Sequence, residues 1–349
     1  MTERPDLTNV DPEIRAYIEA LEAKVARFEE GAAEKRAPEP EPIASEPPTT
    51  VNLITVSRSG LAKRTPRHRY TRQGRGGMGV FDLETDEDDP PALLALADVA
   101  DTLIAITDGG RIYRMRVNKL PESPVHARGA ALGDYLPLHG DERVIALLPA
   151  DAGDHITMLG RRGWVSRVRS SFVGPTMVPG VSYHDAAAHG PLVAACWADE
   201  GQDLFIASRE GQGIRFPLQR IDQHGGLGLR LSRDDEAVAI TTGDEASGVF
   251  LLNAEGQGTI RLMSGFRANK NPGGGGKIAM KTDQLADAAV VEETDDLFVI
   301  SKFGKIIRFS ASEISPKTNP VQGVNCLGLR GDEAVACAVA HIPTKDIST

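Results

Sequence analysis

Six times along residues 51–340 an apolar run of strand length meets a glycine, and a second short run carrying basic residues follows. The stretches are LITVSRSGLAKRT, LIAITDGGRIYRMR, HITMLGRRGWVSRVR, LFIASREGQGIRFP, VFLLNAEGQGTIRL and LFVISKFGKIIRFS. Short apolar runs bounded by turn glycines read as β-strands joined in hairpins. The turn glycines are Gly60, Gly110, Gly163, Gly211, Gly256 and Gly304, spaced 50, 53, 48, 45 and 48 residues apart. A second glycine follows each after 17 to 20 residues: Gly79, Gly129, Gly180, Gly228, Gly276 and Gly323. Repeats two, four and six then close with DERV, DEAV and DEAV before another apolar strand. A period near 48 residues, with about four short strands per unit, predicts an all-β array of blades. Six blades favour closure into a ring, because closure leaves few open sheet edges.

Residues 11–36 carry a different period. Asp11 is a candidate N-cap with Pro12 at the first helical position, and Ile14, Ile18, Leu21, Val25 and Phe28 follow at heptad spacing. The pattern predicts one α-helix, either a short coiled coil that pairs two chains into a homodimer or a lone amphipathic helix. Residues 37–50, APEPEPIASEPPTT, cannot bury apolar surface and read as a disordered, extended linker. Residues 341–349 form a tail.

Composition adds limits. The 349 residues, 41% of them hydrophobic, contain no apolar run long enough to cross a membrane as a helix, and no secretory core is evident at the N-terminus. A cytoplasmic protein is expected. Cys196, Cys326 and Cys337 lack metal-ligand spacing and read as free thiols. No metal or other cofactor is expected.

Net charge is −10, which argues against nucleic acid until its distribution is considered. Residues 1–48 hold 6 basic and 12 acidic residues, residues 49–81 hold 7 and none, and residues 82–349 hold 26 and 37. Windows spanning each hairpin turn and second strand, residues 109–119, 160–172, 211–221, 256–270 and 302–312, taken with residues 51–81, contain 23 of the 39 Lys and Arg residues and no acid. An arginine stands four places after the turn glycine in five repeats, as Arg64, Arg114, Arg167, Arg215 and Arg308, and one place later in the fifth as Arg261. Equivalent strands occupy equivalent places in a ring, so a basic belt around one surface is expected. Such a belt would neutralise phosphates of double-stranded DNA and read little sequence.

The first repeat carries a family resemblance. VNLITVSRSGLAKRTPRHRYTRQGRGGMGV resembles the first blade of the C-terminal domain found in the DNA gyrase A protein and in its topoisomerase IV counterpart, a six-bladed β-pinwheel. Lys63, Arg64, Thr65, Pro66 and Tyr70 match its strand pattern, and Gln73, Arg75, Gly76, Gly77 and Gly79 match its signature heptapeptide, the gyrase box. Gly74 and Met78 stand where the family usually carries Lys or Arg. GRIYRMRVNKLPES in the second repeat and GKIIRFSASEI in the sixth are also similar to the family. The resemblance implies a non-enzymatic module that binds and bends duplex DNA on a basic outer surface, as a type II topoisomerase accessory or nucleoid-associated protein. In gyrase the box-bearing blade supports chiral wrapping; the two missing cations favour weaker binding or bending. A type II topoisomerase subunit is the implied protein partner. Belt and box together assign DNA contact to Arg58, Lys63, Arg64, Arg67, Arg69, Arg72, Gln73, Arg75, Gly76, Gly77, Gly79, Arg111, Arg114, Arg116, Arg167, Arg169, Arg215 and Arg308.

Competing signals are weaker. Arg69-Tyr70-Thr71 matches the surroundings of the DNA-cleaving tyrosine of type II topoisomerases, but Tyr70 ends a repeat's second strand and only 50 residues precede that repeat. A stand-alone pinwheel with no catalytic tyrosine domain is therefore expected. NPGGGGKI lacks the hydroxyl of a phosphate-binding loop at Ile278, so it reads as a turn where Lys270 and Lys277 could touch DNA. His184 and His189 read as a surface loop. The alternative function is a protein-interaction scaffold on a decayed pinwheel without DNA binding.

Overall fold

A computed structural model of the chain describes Ile14, Arg15, Ile18 and residues 46–267 and 271–342. The chain falls into two compact units, residues 1–43 and 44–349. In the first, Ile14, Arg15 and Ile18 are helical. The rest of the expected helix over 11–36, residues 37–45 of the linker, Lys270 and residues 343–349 lie outside the described residues.

The second unit holds six four-stranded antiparallel sheets. Blade one illustrates their order: innermost strand Pro91–Asp98, hairpin Val51–Ser57 and Leu61–Pro66, outermost strand Ala130–Ala131. The six turn glycines all have positive φ, from +71° to +96°, a region that side chains with a Cβ rarely adopt. Each hairpin turn therefore sits where the sequence pattern places it.

The chain path between hairpins was not evident in the sequence. After each hairpin the chain crosses to the outer edge of the preceding blade, adds a two-residue strand there, and returns as the innermost strand of its own blade. Thus Ala130–Ala131, which follows the second hairpin, edges blade one, and Val181–Ser182, which follows the third, edges blade two. The first hairpin has blade six as its ring neighbour. Its crossing segment, residues 67–81, ends in Val80–Phe81, paired to Lys305–Ser310 of blade six. This exchange closes the ring, and Ala334–Ala340, the innermost strand of blade six, packs beside Pro91–Asp98 of blade one.

The second glycines mark the exchanges. A Cβ on Gly79 would lie 2.5 Å from the Ile306 carbonyl oxygen, and one on Gly129 would lie 2.8 Å from the Ala62 backbone. Their small size lets each crossing segment lie against its neighbour's second strand. Both faces of each blade are apolar, which explains why the first hairpin strands run LITV or LFVI without polar alternation. Six buried clusters result, one at each blade junction; Leu53, Leu94, Phe298 and Ile300 form part of the cluster between blades one and six.

Residues 46–50, read as the end of the linker, are docked on the ring. Glu46 pairs with Arg67 and, at 2.7 Å, with Arg308, and the Thr49 amide donates to His68 Nδ1 at 3.1 Å. Two arginines turned toward one carboxylate anchor a segment whose composition alone gave no reason to fold.

Candidate nucleic-acid interface

The arginines at fixed phase in the second strands were expected on an outer belt. The structure places several of them inside. Lys63 is fully buried, its Nζ 2.7 Å from the Asp82 carboxylate and 3.1 Å from the Pro124 carbonyl oxygen. Arg64 donates to Leu120 O at 3.1 Å and Asn52 Oδ1 at 2.9 Å. Arg67 donates to Glu46 at 3.0 Å, Arg215 pairs with Asp203 at 3.4 Å, and Arg308 pairs with Asp296 at 2.6 Å while also donating to Tyr70 O at 3.2 Å. All five are buried.

Arg64 and Arg308 share a physical reason. The outermost strand covers only the first residues of each second strand, so the arginine farther along reaches over the open edge and donates to carbonyls of the crossing segment. Arg114, half-buried, does the same to Val173 O at 2.6 Å. Burial limits solvation of these cations, and carboxylate or carbonyl partners offset that cost, least completely at Arg215, whose Nε and Nη1 make no hydrogen bond with a described residue. Regular recurrence in the sequence was the available sign of this role, since packing repeats with the blade.

Solvent-facing cations lie in the crossing segments, and also toward the hairpin-turn ends of the blades, where Arg58, Arg143, Arg161, Arg162, Arg233, Lys302 and Arg330 are exposed. Of the crossing segments, Arg69 and Arg75 lie in the first, Lys119 and Arg128 in the second, just after Arg116 at the end of its strand, and Arg220, Arg267, Lys277 and Lys317 lie in later ones; all are exposed. Residues 67–79, 117–131, 170–185, 218–230, 263–280 and 311–325 carry 12 Lys and Arg residues against 4 Asp and Glu residues. Acids collect at the two ends of the blades, as Asp86–Asp89, Asp141 and Asp234–Glu236 beside hairpin turns and as Asp98, Asp101, Asp154 and Asp199 at the opposite end. The outer rim is thus the positive part of an acidic ring. Arg169 is exposed and Arg167 half-buried. Arg58 is exposed at the first hairpin turn, and Arg111 is tied to Glu142 at 2.8 Å.

The box residues form a clasp on blade six. Gln73 N donates to Arg308 O at 2.7 Å, Gly76 N to Cys326 O at 2.8 Å, and Gly328 N to Gly77 O at 2.8 Å. Arg75 donates its backbone amide to Glu313 Oε2 at 2.8 Å and its Nε to Glu313 O at 3.1 Å. Arg72 reaches Asp296 at 2.7 Å, and Arg69 pairs with Glu122 at 2.7 Å. Just beyond the box, Asp82 accepts from Tyr70 OH and Thr55 Oγ1, both at 2.6 Å, as well as from Lys63. Burial, then the charge of Asp82, raises the Tyr70 phenol well above its ordinary range. That hydroxyl is a structural donor sealed in the ring.

One further reading changes. His184 is buried rather than in a surface loop, with Nδ1 3.0 Å from Ser166 Oγ and Nε2 2.8 Å from Gly190 O. Lys277 lies over the Phe266 ring, 4.6 Å from its centroid, at the edge of blade four. Among the described residues there is no cluster of three or more His, Cys, Asp or Glu suited to a metal ion, and no helix is long and apolar enough to cross a membrane.

Comparison with known proteins agrees with this architecture. The family described as "DNA gyrase C-terminal domain, beta-propeller" matches residues 52–89, 101–151, 202–253 and 295–339, more than half of the chain. The DNA gyrase A protein of Helicobacter pylori (strain J99) is 29% identical over 301 residues, covering 82% of this chain and 36% of that protein. The DNA gyrase A protein of Campylobacter jejuni is 25% identical over 336 residues, covering 82% and 39%. The chain thus spans little more than a third of the length of these relatives. Among solved structures, the DNA gyrase A C-terminal domain superposes with a TM-score of 0.70 at 19% identity, covering 83% of this chain and 99% of that one. The C-terminal domain of DNA topoisomerase IV gives 0.57 at 16% identity, covering 85% and 94%. This chain is a member of the DNA gyrase C-terminal-domain β-propeller family.

Proposed function

We propose that residues 51–340 bind duplex DNA along the outer rim and bend it, as a non-enzymatic module that works with a type II topoisomerase or on the nucleoid. The observation that carries this reading is the distribution of charge: the crossing segments together hold 12 Lys and Arg residues against 4 Asp and Glu residues, most of the excess in residues 67–79 and 263–280, in a chain of net charge −10. A cationic rim between acidic ends attracts phosphate on one surface and repels it from the others. Contacts from separate loops to a backbone give binding without sequence readout, driven by counterion release. The relatives' name, DNA gyrase, supports the same reading. Bending rather than tight wrapping follows from the box, where Gly74 and Met78 add no charge and Arg75 is engaged by Glu313.

A mobility-shift titration of a random-sequence duplex tests this. Binding near about 1 µM protein at ~50 mM salt, lost at ~200 mM, is expected; no shift at low salt would sink it. A second reading, a protein-docking scaffold, draws on the exposed apolar residues of the outermost strands: Phe81, Val181, Leu227, Ile278 and Val324. Under that reading, replacing them would leave DNA affinity at its original value, or the chain would show none to begin with.

A further inference from the structure

Blade three differs from blades one, four and six at one position. In blades four and six, the residue two places before the arginine's cross-strand partner is an aspartate. Asp203 pairs with Arg215 at 3.4 Å and Asp296 with Arg308 at 2.6 Å. In blade one the same place holds Asn52, which accepts from Arg64 at 2.9 Å. Blade three has His155 there. Its arginine, Arg167, is half-buried, and its side chain makes no hydrogen bond or ion pair with a described residue. His155 is itself buried, and its Nδ1 has no partner among the described residues.

These groups line a cavity of about 510 Å³ at the outer part of the blade. Ser166 stands in it where blades one, two and four carry Lys63, Tyr113 and Ile214, and the small side chain leaves room. Arg169, exposed, lies at the same wall, with His184, His189 and His224 around it. The lining has one carboxylate, Asp185, which is already used to accept from the Ala188 amide at 3.0 Å. Two guanidiniums therefore face a space with almost no countercharge. The remaining wall is aromatic. Trp164 is stacked on His189, with centroids 3.8 Å apart and planes 4° apart, and Phe172 is 58% exposed beside it.

We propose that this cavity binds a nucleoside phosphate, the phosphate held by Arg167 and Arg169 and the base lying against the aromatic wall. A guanidinium fork matches phosphate geometry, and the phosphate would take the place that a carboxylate occupies in blades four and six. The volume is that of sites for small organic ligands, which inorganic phosphate alone would leave largely unfilled. Stacking on an aromatic side chain suits a nucleobase. The unit has two sources, a free nucleotide and the phosphorylated end of a DNA strand. The site does not depend on duplex binding by the rim.

Calorimetric titration of the full chain with 5′-AMP tests the proposal. Saturable binding is expected, with adenosine and inorganic phosphate each weaker by about tenfold or more. Arg167→Gln and, separately, the exposed Arg169→Gln should each weaken 5′-AMP by about tenfold, since each removes a charge-assisted contact. Both variants should melt at the original temperature, because neither side chain has a partner among the described residues to lose. Competition by a duplex with 5′-phosphates, but not by the same duplex without them, identifies the strand end as the source; no competition by either identifies the free nucleotide. The proposal is overturned by no saturable heat up to about 5 mM 5′-AMP, by equal affinity for adenosine, or by unchanged affinity in both variants.

Discussion

Replacing Lys63 by methionine separates a structural cation from a DNA contact. Lys63 and Asp82 have side chains with no solvent exposure and meet at 2.7 Å. The ammonium also donates to Pro124 O at 3.1 Å, Thr65 Oγ1 at 3.2 Å and Val125 O, so it joins blade one to the crossing segment of blade two. Burial pulls the Lys63 pKa down and Asp82 pulls it back up, the balance falling below the ordinary lysine value. Methionine keeps most of the apolar stem, so little cavity energy is lost. The cost is Asp82 left without its cation, retaining only the hydroxyls of Tyr70 and Thr55. Removing one member of a buried pair costs about 3–5 kcal/mol. Urea denaturation should therefore show a lower midpoint with a similar slope, while the folded protein at low temperature binds duplex DNA as the original does. An unchanged urea midpoint together with weakened DNA binding would refute the assignment and restore Lys63 to the rim.

Three further outcomes follow from the same geometry. Gly79→Ala should destabilise by more than about 1 kcal/mol, because φ is +67° and the added Cβ meets Ile306 O; thermal melting checks this. Burial opposes ionisation of Glu46, but hydrogen bonds and charges from Arg67 and Arg308 outweigh it and hold the carboxyl below its ordinary range. Its folded pKa is lowered, so its contribution is present above the unfolded value and lost as pH falls through the folded one. Glu46→Gln should accordingly flatten the acid limb of a stability-against-pH curve. In a plasmid topology assay with a nicking-closing enzyme, bending without chiral wrapping should leave the linking number unchanged, and a protein-dependent shift would overturn that part of the proposed function.

The fold was legible because its signals are local and repeated. Turn glycines fixed the hairpins, and each of the six has the positive φ that makes glycine the natural residue there. The period gave the blade count, and the box gave the family. Strand exchange was not legible, since two-residue strands such as Val80–Phe81 have no periodicity, and their partners lie in another repeat. The second glycines did mark the places. The placement of five belt cations was misread for a related reason. A charged residue in a strand looks solvent-facing, yet Arg308 and Lys63 are buried by segments arriving from other repeats. Partner positions such as Asp203 and Asp296, at the start of the first strand, were the available clue. Exposed cations such as Lys119 and Arg128 vary from repeat to repeat and left no pattern to detect.

The salt dependence of duplex affinity, compared between the original chain and an Arg116→Ala, Lys119→Ala, Arg128→Ala triple variant, tests rim binding most directly. These side chains are exposed, so the triple variant should melt normally. Log affinity should fall linearly with log salt in both, and the slope should be shallower by about 3 units in the variant, nearly one per lost phosphate contact. An unchanged slope and affinity, in a variant that is folded, would contradict rim binding.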